Sequence, residues 1–254
     1  MGTIVIIGLG QLGRVFAGGF LRAGYSVVPV NRSDDMDSVA ARHPSPELVL
    51  VAVAEPDLHT VLCSVPAAWK QRLVLLQNEL LPRDWQLYLI ANPTVVSVWF
   101  EKKKGTDAKP LLPSPVFGPA AKVVLDALLA VEIPAVEVSS EGELLYELVR
   151  KNIYILTTNI AGLKTGGNVG ELWHAHRALA TEIAQEVMDI QDWLTNTRNS
   201  RERLLGGLEE AIQADPAHGC TGRSAPARLA RNLKFADEAG LAVPKLREIQ
   251  ASLS

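Results

Sequence analysis

Gly8, Gly10 and Gly13 stand at GxGxxG spacing between an apolar run, residues 4–7, and a stretch rich in small residues that ends at Gly24. This spacing suits a backbone that must cradle a pyrophosphate. The first glycine permits a tight turn, the second removes a side chain where phosphates approach, and the third lets the following helix pack on the strand. The amino terminus of that helix offers N–H groups and positive partial charge to the anion. Leu9, Gln11 and Leu12 complete the candidate cradle. A glycine-rich turn in an ordinary βαβ unit is the alternative; a strand before, a helix after and a second strand at 25–30 favour a nucleotide. Asn31 ends that second strand, where NAD-binding chains carry an acidic residue for the ribose 2′-hydroxyl. Arg32 and Ser33 follow and can bind a 2′-phosphate, so the expected cofactor is NADP. Asp34 and Asp35 leave a second reading open, in which Arg32 belongs to a solvated charge cluster.

A second group of residues suits proton transfer. Leu145, Val149, Ile153, Leu156, Ile160 and Leu163 recur at helical steps and form one apolar face. At about 100° per residue, Lys151, Ile155, Thr158, Asn159 and Gly162 share a stripe on the other side. A lysine beside a nicotinamide can donate a proton to a carbonyl oxygen as hydride reaches the carbon. A plain surface lysine is the competing reading. His174 and His176 are two residues apart, point in different directions on a helix and do not suit one metal, and no metal site is expected.

These residues need elements to hold them. Apolar runs at 4–7, 25–30, 48–54, 72–77 and 87–91 are continuous rather than alternating, which predicts an α/β domain with a parallel sheet covered on both faces. A helix over about 119–130 and a strand at 136–139 complete it. From Ser140 the pattern changes: Ser140 and Glu143 form a capping box, and helices are expected to about 163, over 171–194 and 200–214, and after Pro226 and Pro244. The predicted organisation is a dinucleotide domain, 1–139, and an all-helical substrate or dimerisation domain, 140–254, with a cleft between them as the default substrate site.

Composition bounds the partners. The formal net charge of -3 over 254 residues carries no basic footprint, so nucleic acid is not expected. No apolar run reaches the ~20 residues of a membrane span. Two cysteines, Cys63 and Cys220, form neither a disulfide framework nor a metal motif and fit a reducing, cytoplasmic setting. A small-molecule substrate is expected, and a homodimer is left open.

GLGQLG at the amino terminus, LLQNELL at 75–81, RKNIYILTTNIAGL at 150–163, GELWHAHRALATEIAQEV at 170–187 and AGLAVP at 239–244 follow one another as in ketopantoate reductases, which this chain resembles over nearly its whole length. The resemblance implies a Rossmann-type domain followed by a helical domain like the carboxyl-terminal domain of 6-phosphogluconate dehydrogenase. It implies an NADP-dependent reduction of a keto acid, with Lys151 as general acid and Asn159 and Asn78 orienting substrate and nicotinamide. The strand-end turn residue (Asn78) and the buried polar residue satisfied by backbone (Asn159) remain as alternatives. The chain also departs from the family pattern. Ile155 replaces an asparagine, Glu79 the glycine of a QNG turn, Glu55 a lysine and Ser224 a glutamate. The expected activity is hydride transfer to a small carbonyl substrate other than ketopantoate. Two alternatives stand: an imine reductase, because AVAEPDLHTVL (52–62) is also laid out as in pyrroline-5-carboxylate reductases, and an NADP-binding regulatory or sensing protein without catalysis.

Overall fold

The computed structural model describes residues 2–253. Strands β1 (Thr3–Ile7), β2 (Ser26–Val30), β3 (Leu48–Val51), β4 (Leu73–Leu75) and β5 (Thr94–Val96) alternate with helices α1 (Gln11–Arg22), α2 (Met36–Arg42), α3 (Leu58–Ser64) and α4 (Pro82–Gln86). A small antiparallel pair, β6 (Phe100–Glu101) and β7 (Lys109–Pro110), leads to β8 (Ser114–Phe117), α5 (Ala121–Leu129) and β9 (Ala135–Glu137). The main sheet has the order β2-β1-β3-β4-β5-β8-β9, and every pairing is parallel except β5 with β8. Chain direction therefore reverses its winding between β1 and β3, and ligands of such sheets bind outside the carboxyl ends of the strands at that point.

The sequence places a strand at 87–91, and the structure does not. Leu87 caps α4, and Leu87 and Leu89 are exposed, Leu89 in a left-handed backbone conformation. The next run, 94–96, takes the sheet position because it pairs with β4 on one side and β8 on the other. Its side chains are fully buried, so 94–96 is interior rather than an edge. The core on one face gathers Ile4, Ile6, Leu48, Leu50 and Val74 of the strands with Phe16 and Phe20 of α1. Gly19 lets α1 cross α5 closely: a Cβ there would meet the Ala127 carbonyl.

The remaining chain is helical: α6 (Glu141–Thr165), α7 (Val169–Ala175), α8 (Arg177–Thr195), α9 (Arg201–Ala214), α10 (Ala225–Ala239) and α11 (Pro244–Ser252). The described residues form two compact units, 2–148 and 149–253, the division falling inside α6. Ser140 accepts the Glu143 N–H at 3.2 Å, as its capping signal predicts, and Ser200 caps α9 by accepting the Arg203 N–H. One helix expected over 171–194 is instead two, broken at His176. A tertiary tie holds the bend: Glu209 of α9 accepts from Trp173 Nε1 at 3.1 Å and pairs with Arg177, whose guanidinium lies 4.7 Å from the Trp173 ring centre.

The last helix is held by charge. Glu186 of α8 accepts from the Lys245 and Leu246 N–H groups, supplying α11 with an amino-terminal cap from a neighbouring helix. Lys164 of α6 and Lys245 both hydrogen-bond Glu248, and they hold its carboxyl down at about 2. A carboxyl whose folded pKa is depressed stabilises fully above its unfolded value and loses that contribution as pH falls through the folded one. The Lys164–Glu248 tie is therefore expected to persist down to about pH 2, well below the ordinary glutamate value of 4.5. In NMR titrations Glu248 should show that low midpoint, and Lys164→Ala should move it upward.

Candidate functional site

β1, the glycine turn and α1 follow one another as the strand, turn and helix that the sequence predicts. Gly8 has φ +93°, a conformation that L side chains rarely adopt. Its N–H donates to the Val30 carbonyl at 3.0 Å, which ties the turn to β2. A Cβ at Gly13 would collide with the Gly8 carbonyl, whereas one at Gly10 would meet nothing within 4 Å. The third glycine is thus required by packing, and the second opens onto space. Helix α1 begins without a side-chain cap and carries no acidic residue in its first turn, so its positive end is not compensated.

That space is a pocket of about 840 Å³ at the carboxyl ends of β1, β2 and β3. Gly8, Leu9, Gly10, Asn31 and Arg32 line it, together with Arg14, Asp34 and Asp57. Gln11, Leu12 and Gly13 do not line it, and Ser33 lies in a separate hollow beside Asp35 and Ser38. The arrangement fits a dinucleotide: a side-chain-free approach at Gly10, a helix start, and two guanidinium groups. Arg14 holds its place by donating from Nε to the Leu9 carbonyl at 3.1 Å. Sequence reasoning missed Arg14, although it directly follows the third glycine.

The second-strand segment differs from expectation in one respect. Asn31 leaves its own position without a carboxylate, but the chain turns back and brings one in. Asp34 N–H donates to the Asn31 carbonyl at 3.0 Å, while Asp34 Oδ2 accepts from the Asn31 N–H at 2.6 Å and its amide at 3.2 Å. Arg32 pairs with neither Asp34 nor Asp35. Its partner is Asp57, at 2.8 Å, in the turn that follows β3. Asp35 instead caps α2 through the Ser38 N–H. No local pattern announces the Arg32–Asp57 pair, because 25 residues separate its members.

Gln77 is buried at the end of β4, where its amide donates to the Val51 carbonyl at 2.7 Å and its oxygen accepts from the Leu76 N–H. Asn78 follows in a half-buried turn, and Glu79 has φ 60°. This is the position where the resemblance places glycine, and the backbone shows why. Glu79→Gly should raise the melting temperature, with a net stabilisation of about 0.5–1 kcal/mol once the extra chain entropy of glycine is offset.

In the helical unit, Lys151 is buried with only 6% of its surface exposed, which removes it from the class of solvated lysines. One turn on, Ile155 is half-buried, and Thr158 is buried with its hydroxyl donating to the Tyr154 carbonyl. Asn159 is engaged at both ends: its amide donates to the Cys220 carbonyl at 3.0 Å, and its oxygen accepts from the buried Arg228 at 2.7 Å. Gly162 allows the same loop to approach, since a Cβ there would meet Cys220 and Thr221. Asn159 therefore anchors the segment that precedes α10 as well as facing the stripe. Ser224 starts α10 with no side-chain cap bond, and Glu55 does not line the pocket at Gly10. Burial pushes the Cys220 thiol up to about 11, aided by Glu171, so it is not a thiolate nucleophile at neutral pH.

Among the described residues no group of three His, Cys, Asp or Glu side chains could hold a metal ion, and no helix is long and apolar enough to cross a membrane. No family model matches the chain, and no curated protein sequence matches it. Solved structures do. A PanE/ApbA family ketopantoate reductase from Ralstonia eutropha JMP134 superposes with a TM-score of 0.69 at 15% identity, covering 98% of this chain and 96% of that one. A probable 2-dehydropantoate 2-reductase from Bacillus subtilis gives 0.68 at 18% identity, with 98% of each chain covered. D-mandelate dehydrogenase, solved with NADH, gives 0.68 at 13% identity, covering 98% of this chain and 96% of that one. Over nearly its whole length, this chain has the fold of the ketopantoate reductases.

Proposed function

We propose that this protein is an NADP-dependent oxidoreductase that transfers hydride to a small carbonyl substrate other than ketopantoate. The observation that carries the reading is the β1–α1 cradle, with open space at Gly10 and with Arg14 and Arg32 lining the same pocket. A bound nicotinamide dinucleotide supplies the hydride. The chain's own residues bind and position it: the backbone at residues 8–10 and the start of α1 take the pyrophosphate, and Arg32 takes the 2′-phosphate. Lys151 donates the proton to the carbonyl oxygen, Asn159 fixes the segment before α10, and Asn78 completes the turn after β4.

The substrate follows from what the stripe lacks. Ile155 puts an apolar wall one turn from Lys151, where a polar partner would otherwise hold a hydroxyl. A site without that partner gives up the hydrogen bond to a substrate hydroxyl and disfavours the polar substrate by up to about 10². A carbonyl compound with a less polar substituent than ketopantoate is therefore favoured, in line with the fold's use by D-mandelate dehydrogenase. Titration with both cofactors, followed by a panel of 2-keto acids, neutral ketones and imines, tests the reading. NADPH should bind more tightly than NADH, and Arg32→Ala should cost the phosphorylated form about 1–2 kcal/mol. Equal affinities would refute the cofactor assignment, and efficient ketopantoate reduction would refute the substrate assignment.

A second reading, NADH as the working cofactor, is favoured by one observation. Asp34 and Asp57 line the same pocket as Arg32. The same titration separates the two.

A further inference from the structure

We infer that Asp57 sets how strongly this pocket distinguishes phosphorylated from unphosphorylated dinucleotide, by holding Arg32 in an ion pair that a 2′-phosphate must displace. The inference rests on the dinucleotide reading of the pocket given above. Arg32 and Asp57 lie on two different segments, the loop after β2 and the turn after β3, and meet at 2.8 Å across the lining of one pocket. The guanidinium is 91% exposed and the carboxylate 43%, so both side chains can move without disturbing the core. Asp34, by contrast, is pinned by two bonds from Asn31 and remains as a fixed negative charge.

An unphosphorylated ribose leaves the pair intact, since a neutral 2′-hydroxyl does not compete with a carboxylate for the guanidinium. A 2′-phosphate needs the guanidinium for itself. It binds only as Arg32 exchanges Asp57 for phosphate, and the displaced carboxylate then faces a second anion. Cofactor preference is thus set by a competition for one cation, and removing the competitor strengthens NADPH alone. Asp57 precedes α3 but makes no side-chain cap bond, so its charge can be removed without uncapping that helix.

The test is a double-mutant cycle on the full chain, with NADPH and NADH titrated against the unmodified protein, Asp57→Asn, Arg32→Ala and the double variant. Asp57→Asn should raise NADPH affinity about twofold to fivefold, the worth of an exposed ion pair, and leave NADH unchanged. In the Arg32→Ala background the gain should shrink to the part that comes from lifting the carboxylate's direct repulsion of the phosphate. A gain at least as large without Arg32, a gain shared equally by NADH, or no change in either cofactor overturns the exchange while leaving the pocket assignment standing. Failure of the unmodified chain to bind either dinucleotide overturns the pocket reading and the exchange with it.

Discussion

Replacing Lys151 by alanine is expected to lower turnover by about 10² to 10⁴, the usual contribution of a positioned general acid, while dinucleotide affinity stays the same. The ammonium is the one proton donor on a stripe otherwise made of Ile155, Thr158, Asn159 and Gly162. Thr158 spends its proton on the Tyr154 carbonyl, and Asn159 is engaged at both ends. Because Lys151 is buried, alanine also removes packing volume from α6. Lys151→Met keeps the volume and removes the ammonium, so it separates lost chemistry from lost packing. Both variants should lose turnover alike, and Lys151→Met should retain more of the melting temperature than Lys151→Ala. Lys151→Arg should not rescue, since a guanidinium stays protonated at working pH and does not release its proton. Unimpaired turnover in Lys151→Met, once a substrate is in hand, would mean that the lysine serves packing alone.

The second large effect separates two glycines of one motif. Gly10→Ala should leave the fold intact, because its Cβ meets nothing within 4 Å and its φ of -68° suits any residue. Yet the added methyl occupies the space through which phosphates approach, and NADPH affinity should fall about tenfold to hundredfold, or about 1.4–2.8 kcal/mol. Gly13→Ala should do the reverse of sparing the fold. Its Cβ falls on the Gly8 carbonyl, a backbone atom that cannot rotate away, so α1 must shift relative to β1. Overpacking of this kind costs about 1–3 kcal/mol. Thermal melts and cofactor titrations on the two variants check the pair. Equal losses of stability would show that Gly10 is also a packing glycine, and full cofactor affinity in Gly10→Ala would remove the phosphates from that position.

Local chemistry was legible in the sequence wherever one short segment decides it. The turn at Gly8, the close approach at Gly13 and the cap at Ser140 each depend on residues within a few positions, so spacing is enough to read them. The helical character of the second half was equally plain from its periodicity. What sequence could not settle is which apolar run finds a partner. Residues 87–91 read as the better strand of the parallel pattern, but only 94–96 meets β4 and β8, so the first became a helix end with exposed leucines. The same holds for the site. The Arg32–Asp57 pair spans 25 residues and the Arg228–Asn159 pair spans 69. Their formation depends on where the sheet and helices carry each backbone. Side-chain identity fixed what Arg32, Asn159 and Asp57 could bind. Only the tertiary structure decided that Arg32 faces a carboxylate, that Asn159 is already engaged, and that Lys151 is buried, because those outcomes depend on neighbours that local sequence does not contain.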